Sequence, residues 1–155
     1  MTNTIFRFIM FLAIHFGGLA IGAVFTGKGV PSDWYLGLVK APWTPPGWTF
    51  GFAWSTIMFC FSIYLTYLWP LIQNKKRLIW LVLAQWILNV SWNPMFFYYQ
   101  SIGGGMLVIT GLTLLIGFLL MHYRNELKLK TLLLFPYFIW LLIATSLNGY
   151  IFLNN

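Results

Sequence analysis

The sequence predicts an all-α integral membrane protein: a bundle of five transmembrane helices in one domain, residues 1–155, with a long lid-like loop between the first two helices. Composition is the first observation behind this prediction, since 60% of the residues are apolar and only 7% are charged. A soluble domain is about 45–50% apolar and about 25% charged. This chain therefore has too few polar side chains to cover a water-exposed surface. Intrinsic disorder is excluded as well, because disordered chains have the opposite composition.

The second observation is a set of five apolar stretches long enough to cross a membrane, at about residues 5–25, 50–69, 79–99, 103–123 and 131–153. About 20 apolar residues, at about 1.5 Å each in a helix, cross the hydrocarbon layer. The stretches contain no Asp, Glu or Lys, and they are continuously apolar rather than alternating, which favours helices over barrel strands. A helix also pairs its own backbone polar groups, which lipid cannot do.

The third observation is the distribution of basic residues between the connecting segments. In a protein with five spans, the side of the membrane that holds the N-terminus carries seven basic residues: Arg7, Lys75, Lys76, Arg77, Arg124, Lys128 and Lys130. The opposite side receives only Lys28 and Lys40. Because basic loops stay in the cytoplasm, we expect a cytoplasmic N-terminus, with the first loop and the C-terminus outside, in a bacterial inner membrane. Charges that flank spans in this way do not form a nucleic-acid surface, so no nucleic-acid partner is expected.

Several kinds of chemistry lack the residues they need. The only acidic residues are Asp33 and Glu126, and the predicted topology puts them on opposite faces of the membrane, so no carboxylate pair can form. His15 and His122 have no further ligand at helical spacing, and Cys60 is the only cysteine. We therefore expect no metal site. Spans almost free of ionisable residues also argue against an ion-coupled pump.

The third span carries a stripe of amide and aromatic residues. The stripe consists of Gln85, Asn89, Trp92, Asn93 and Phe96, at offsets that place them on one helix face. Lipid cannot satisfy amides, so this face should point into the bundle. There it can bind other helices or a ligand, and the spacing alone leaves both open. Pro94 should loosen or bend the helix beside the stripe.

Aromatic stripes also mark the second and fifth spans. They comprise Phe50, Trp54, Met58 and Phe61 in the second span, and Tyr137, Trp140, Ala144, Leu147 and Ile151 in the fifth. Ordinary packing would explain either stripe alone. Together with the amides they predict an apolar cavity with a few orienting polar groups, which is the general form of a small-molecule site. A flat conjugated ligand could stack on the indole rings there.

The connector at residues 26–49 is too long to be a simple link in such a short chain. Ser32 or Asp33 should cap a short helix that carries Trp34 and Tyr35. The following segment, residues 40–48, is rich in proline and should be extended and stiff. Such a loop can cover a cavity at the outer face as a lid. The alternative is a loop that rests on the lipid headgroups.

Three segments at matching intervals resemble the TspO/MBR family, the tryptophan-rich sensory proteins and translocator proteins of the peripheral benzodiazepine receptor type. They are residues 34–48 (WYLGLVKAPWTPPGW, followed by Trp54), residues 88–97 (LNVSWNPMFF) and residues 136–148 (PYFIWLLIATSLN). The resemblance implies a five-helix membrane protein, usually a homodimer, that binds porphyrins such as protoporphyrin IX and other flat apolar ligands. It implies a sensor or transport role, and no required cofactor besides the porphyrin ligand.

The resemblance also assigns residues to the site. The ligand-binding residues it implies are Trp34, Tyr35, Trp54, Asn89, Trp92, Phe96, Trp140, Ala144 and Leu147. Some bacterial relatives are reported to degrade protoporphyrin in light, with tryptophans that match Trp54 and Trp140. The alternative function is therefore an enzyme for light- or oxygen-dependent porphyrin degradation, with these two residues as the catalytic ones. A purely structural membrane subunit is the third possibility, but it would leave the aromatic loop without a role.

Two departures from the family pattern bear on ligands and on the lid. The family's cholesterol motif begins at Leu147 and Tyr150, but no basic residue follows them, which counts against sterol binding. Ala41 lengthens the usual step from lysine to proline in the loop by one residue. For the homodimer, the only local indication is the small-residue step from Gly18 to Gly22, which suits close helix contact either between chains or inside one bundle.

Overall fold

The computed structural model describes residues 2–155, and every regular element in that range is a helix. The elements are α1 (Thr2–Gly29), α2 (Asp33–Gly37), α3 (Gly47–Leu71), α4 (Lys75–Asn93), α5 (Ile102–His122), α6 (Arg124–Leu127) and α7 (Phe135–Asn154). A π-helical turn (Pro94–Tyr98) follows α4, and a 3₁₀ helix (Lys128–Leu134) leads into α7. The long helices α1, α3, α4, α5 and α7 match the five apolar stretches, which confirms the predicted all-α membrane bundle.

The helices extend beyond several ends of the apolar stretches. Helix α1 continues to Gly29, α3 begins at Gly47 and α4 begins at Lys75. Hydropathy marks only the part of a helix that suits hydrocarbon, whereas backbone hydrogen bonding continues into polar surroundings. The regular part of α4 ends early, at Asn93, because Pro94 has no N–H to donate. The chain continues there as the π-helical turn, in which Tyr99 N–H donates to the Pro94 carbonyl at 3.0 Å.

Within residues 2–155, four segments are long and apolar enough to cross a membrane: Asn3–Gly29, Gly47–Leu71, Ile102–His122 and Arg124–Asn154. Helix α4 is the least apolar of the long helices, because it starts with a basic run and carries Gln85, Asn89 and Asn93 further along. It packs between α1 and α5. Its amides can therefore bond to protein instead of facing lipid.

The five long helices form a ring in which each packs against two neighbours. The order around the ring is α1, α3, α7, α5, α4 and back to α1. Helices α4 and α7 are not neighbours in this ring, so side chains that connect them must cross its interior. Side chains buried most completely, such as Phe61, Leu65, Leu112, Ile116 and Leu141, fill the half of the ring away from the long loop. The half beneath the loop is less closed, since several inward residues there are only half-buried.

Helix α1 is joined to its two neighbours by close packing and by polar contacts. An added Cβ at Gly18 would lie 2.7 Å from Trp86 Nε1, and one at Gly22 would lie 2.6 Å from Asn93 Nδ2. The two glycines thus allow α1 to pack closely against α4 of the same chain. On the other side, His15 Nδ1 lies 2.9 Å from Ser62 Oγ of α3. This buried pair acts as a polar link between α1 and α3.

Candidate ligand-binding site

A tyrosine hydroxyl in the ring interior connects helices that are not neighbours. Gln85 Nε2 donates to Tyr137 Oη at 2.8 Å, and Asn89 Nδ2 donates to the same oxygen at 2.6 Å. Tyr137 belongs to α7 and is 1% exposed, whereas both amides belong to α4. The Trp54 ring of α3 meets the Tyr137 ring edge-on, with centroids 5.9 Å apart. We call Gln85, Asn89, Tyr137 and Trp54 the central cluster.

A second group lies closer to the long loop. Trp92 Nε1 donates to Asn148 Oδ1 of α7 at 3.1 Å, which again links α4 to α7. The Trp92 ring is stacked on Phe96 of the π-helical turn, with centroids 5.1 Å apart and an interplanar angle of 10°. Phe96 is buried, and Trp92 is half-buried. The turn that Pro94 causes thus presents Phe96 to the loop.

The short helix α2 packs its aromatic residues onto this turn. Ser32 begins the helix, since its Oγ accepts from Tyr35 N–H at 3.3 Å. The Trp34 ring meets Phe96 edge-on at 5.4 Å, and Tyr35 meets Phe97 edge-on at 5.4 Å. Burial raises the pKa of Tyr35, so its phenol stays neutral at physiological pH. The two aromatic residues predicted for the lid therefore contact the bundle.

The proline-rich part of the loop is attached to α7. Trp43 Nε1 donates to Ser146 Oγ at 3.2 Å, and the Trp43 ring meets Tyr150 edge-on at 5.3 Å. Val39 and Asn155 pair through two hydrogen bonds: Val39 N–H donates to Asn155 Oδ1 at 2.9 Å, and Asn155 Nδ2 donates to the Val39 carbonyl at 3.2 Å. The loop is thus attached to the bundle in two places: its helix α2 packs on the π-helical turn, and its later part bonds to α7. It covers this end of the ring, as a lid would.

Four buried side-chain polar atoms have no hydrogen-bond partner among residues 2–155. Two of them, His15 Nε2 and Thr131 Oγ1, are not on predicted ligand-binding residues or in the central cluster, and the other two belong to α7 and α4. One is Trp140 Nε1, on a side chain 8% exposed whose ring meets Phe50 edge-on at 5.4 Å. The other is Gln85 Oε1, on a side chain 1% exposed. A 180° rotation of the Gln85 amide would only exchange the unpaired atom. A buried polar group without a partner costs about 1–3 kcal/mol. Trp140 Nε1 can therefore donate a hydrogen bond to a ligand group or a water, and Gln85 Oε1 can accept one from either.

The structure thus distributes the predicted ligand-binding residues over three places. Trp54 and Asn89 belong to the central cluster; Trp34, Tyr35, Trp92 and Phe96 meet beneath the loop; and Trp140, Ala144 and Leu147 follow one face of α7. The rings beneath the loop contact one another, whereas the sequence predicts an apolar cavity there. Apolar rings pack together because a void would forfeit their dispersion contacts. A planar ligand would have to part them.

Open apolar grooves lie elsewhere on the described surface. One, of about 530 Å³, runs between α3 and the 3₁₀ helix, and another, of about 310 Å³, lies between α1 and Phe59 of α3. Neither is lined by a predicted ligand-binding residue. These grooves face the membrane side of the ring and are separate from the site beneath the loop.

The sequence stripes contain two members of the central cluster that the family resemblance does not assign to the site. Gln85 precedes Asn89 by about one helical turn, and Tyr137 precedes Trp140 by three residues. The signal was present in these stripes, but the spacing alone could not say that the amides of α4 bond to Tyr137. Asn93, in contrast, accepts from Thr26 Oγ1 of α1 at 2.7 Å, so the end of the amide stripe joins α4 to α1.

A ring of membrane-spanning helices, capped by an aromatic loop and with indoles and amides inside, defines a helical membrane protein with an internal aromatic site. The model of the TspO/MBR family matches residues 9–153. The chain belongs to this family, as the sequence motifs predict.

Individual relatives extend over nearly the same length. Protein CrtK of Rhodobacter capsulatus is 34% identical over 152 residues, covering 96% of this chain and 91% of the relative. Tryptophan-rich protein TspO of Archaeoglobus fulgidus is 34% identical over 145 residues, covering 93% and 91%. The human translocator protein is 28% identical over 143 residues, covering 89% and 83%. Bacterial, archaeal and animal proteins are therefore similar to this chain over most of its length.

Proposed function

We propose that this protein is a membrane binding protein or sensor for porphyrins of the protoporphyrin IX type and related flat apolar ligands. The ligand binds beneath the long loop, inside the ring, and binding is linked to porphyrin transport or regulation. One observation carries the proposal: buried and half-buried aromatic and amide side chains of α3, α4 and α7 line the ring interior, and two of their polar atoms, Trp140 Nε1 and Gln85 Oε1, are buried and unpaired among the described residues. An interior of this kind has both stacking surface and unsatisfied hydrogen-bonding capacity.

The chemistry of a porphyrin suits these groups. Its conjugated ring is flat and can stack on the indoles of Trp54 and Trp92, which are only half-buried. Its carboxyl side chains are acceptors for Trp140 Nε1 and, when protonated, donors for Gln85 Oε1. Asn89 Oδ1 makes no hydrogen bond within residues 2–155 and offers a further acceptor on the same face. Binding would therefore pair polar groups that are unpaired in the protein itself.

The proposal is tested by titrating the protein in detergent with protoporphyrin IX and following tryptophan fluorescence. We expect saturable quenching by the wild type. Trp140→Phe keeps an aromatic ring but removes Nε1, and we expect it to weaken binding about tenfold, the size of one buried hydrogen bond. Trp80→Phe is the matched control, because Trp80 is exposed near the start of α4. Absence of saturation in the wild type, or equal affinity in both variants, would contradict the proposal.

Porphyrin degradation is the second candidate function, because Trp54 and Trp140, the two tryptophans the family resemblance associates with it, both lie in the ring interior. The complex of the wild type with protoporphyrin IX is illuminated and its Soret band followed. A new absorbing product that is absent with Trp54→Phe and Trp140→Phe would favour an enzyme. An unchanged spectrum would leave binding as the function.

We also propose the topology that the charges indicate, with the N-terminus in the cytoplasm, the long loop outside and the protein in the bacterial inner membrane. The basic residues on one end of the ring support it: Lys75 donates to the Trp69 carbonyl, Arg77 lies 5.8 Å from the Phe118 ring, and Lys130 lies over Tyr67. A homodimer, which the resemblance implies, needs a surface other than the Gly18–Gly22 step, since that step contacts α4. Chemical cross-linking in native membranes tests for the dimer.

A further inference from the structure

The groove of about 530 Å³ lies on the outside of the ring and is almost wholly apolar. Its walls include Cys60, Ile63 and Tyr67 of α3 on one side, and Leu132 and Leu133 of the 3₁₀ helix on the other. From Cys60 to Tyr67 the helix rises roughly 10 Å. The groove therefore runs along α3 for about the length of half an acyl chain. It shares no residue with the site beneath the loop.

A single cation marks one end of this groove. Lys130 is its only charged lining residue, and Lys130 Nζ lies 3.8 Å from the centroid of the Tyr67 ring. Tyr67 is near the end of α3, which stops at Leu71, so the lysine lies at the level where α3 leaves the apolar layer. A tyrosine with a lysine at a membrane surface is typical of the headgroup region. The groove thus combines an apolar wall with a cation at its surface end.

The charge at this end favours an anionic occupant. The connecting segments here carry Lys75, Lys76, Arg77, Arg124, Lys128 and Lys130, and Glu126 is the only acidic residue among them. A second copy of the chain docked here would bring two strongly basic ends together, which like-charge repulsion opposes. A lipid with a negative headgroup would neutralise the lysine and place its chain against the apolar walls.

We propose that this groove is a binding site for one anionic phospholipid. Its phosphate lies at Lys130, and one acyl chain lies along the face of α3 that carries Tyr67, Ile63 and Cys60. The lysine provides the preference for an anionic over a zwitterionic lipid, and the apolar walls provide the fit for the chain.

Native mass spectrometry of the full-length protein, released from detergent with defined lipids, tests the proposal. Phosphatidylglycerol and phosphatidylcholine with identical acyl chains are the probes. We expect the wild type to retain phosphatidylglycerol preferentially. Lys130→Gln should reduce that retention about fivefold, the size expected for one basic side chain near an anionic lipid. Lys130→Arg should restore it.

The matched control is Lys76→Gln, which removes the same charge at the same end but away from the groove. Lys76→Gln should leave retention unchanged. An equal loss in Lys76→Gln and Lys130→Gln would mean diffuse attraction to a basic surface and would overturn the site. Equal retention of the two lipids by the wild type would overturn it as well.

A second measurement locates the lipid chain without changing any charge. Cys60 is the only cysteine in the chain, and it is half-buried in the groove wall. Added phosphatidylglycerol should slow alkylation of Cys60 by N-ethylmaleimide at least severalfold, and phosphatidylcholine should slow it less. Ile63→Trp, which fills the groove, should abolish specific lipid retention while its thermal midpoint stays that of the wild type. Unchanged alkylation in the wild type would contradict the proposed position of the chain.

Discussion

The stability of the ring should depend on the hydroxyl of Tyr137 more than on any comparable hydroxyl of α7. Tyr137→Phe keeps the ring and its edge contact with Trp54 but removes the acceptor of both Gln85 Nε2 and Asn89 Nδ2. Hydrogen bonds between membrane helices are worth on average about 0.6 kcal/mol each and at most about 1.7 kcal/mol. Two such bonds give a loss of about 1–3 kcal/mol in the free energy of unfolding. The variant also leaves the buried Gln85 amide without an acceptor. We therefore expect the loss in unfolding free energy to lie in the upper part of that range.

The assay is equilibrium unfolding in mixed micelles of a mild detergent and sodium dodecyl sulfate, followed by circular dichroism. The matched control is Tyr150→Phe, which removes the same group from the same helix. The hydroxyl of Tyr150 makes no hydrogen bond within residues 2–155, and its ring contacts Trp43. We expect Tyr150→Phe to stay within about 0.5 kcal/mol of the wild type. Equal stability of the two variants would refute the inference that Tyr137 joins α4 to α7.

Two further predictions concern the loop and the packing of α1. Asn155→Ala removes both hydrogen bonds to Val39, so hydrogen exchange at the Val39 amide should become at least severalfold faster. Asn154→Ala is its control, because Asn154 bonds only to the carbonyl of Tyr150 in its own helix; equal exchange in both variants would mean that Asn155 does not hold the loop. Gly22→Leu should destabilise the protein by about 1–3 kcal/mol, since its side chain meets Asn93. Gly17→Leu, with nothing within 4 Å of an added Cβ, should not, and a similar loss in both would exclude close packing of α1 on α4 as the cause.

The sequence predicts the helices well because lipid leaves the backbone few alternatives. A chain inside hydrocarbon must pair its backbone groups within each segment, so long apolar stretches become helices regardless of their neighbours. The amide stripe of α4 likewise predicts that Gln85 and Asn89 point inward. Trp34 and Tyr35 are predicted to belong to a capped helix in the loop, and α2 has that position and that cap.

The arrangement around the ring could not be predicted in the same way, because it depends on contacts between distant parts of the chain. Gln85 lies 52 residues from Tyr137, and Val39 lies 116 residues from Asn155. Periodicity says which face of a helix turns inward but not which partner it meets there. The π-helical turn after Pro94 also depends on distant contacts. The proline predicts that the helix is interrupted, whereas packing against Trp34 and Trp92 decides where Phe96 points.

Asn89 combines two roles that its spacing left open. Its Nδ2 bonds to Tyr137 and so connects helices, whereas its Oδ1 is free of hydrogen bonds within the described residues and faces the same interior. Asn89→Leu should therefore lower both stability and porphyrin affinity, and the loss in affinity should exceed the loss in stability. Unfolding and protoporphyrin IX titrations of the same preparation measure the two. A loss confined to stability would assign Asn89 to helix contact alone.

Occlusion of the interior tests most directly whether the aromatic site beneath the loop holds the porphyrin. Ala144 is half-buried on the inner face of α7, between Trp140 and Leu147, whereas Leu142 of the same helix is 51% exposed on the outer face. Ala144→Trp puts a bulky indole on the inner face of α7, where a planar ligand must lie, and Leu142→Trp adds the same indole on the lipid side. We expect protoporphyrin IX to titrate Leu142→Trp like the wild type and to show no saturable binding to Ala144→Trp. Wild-type affinity in a folded Ala144→Trp variant would mean that the porphyrin binds elsewhere.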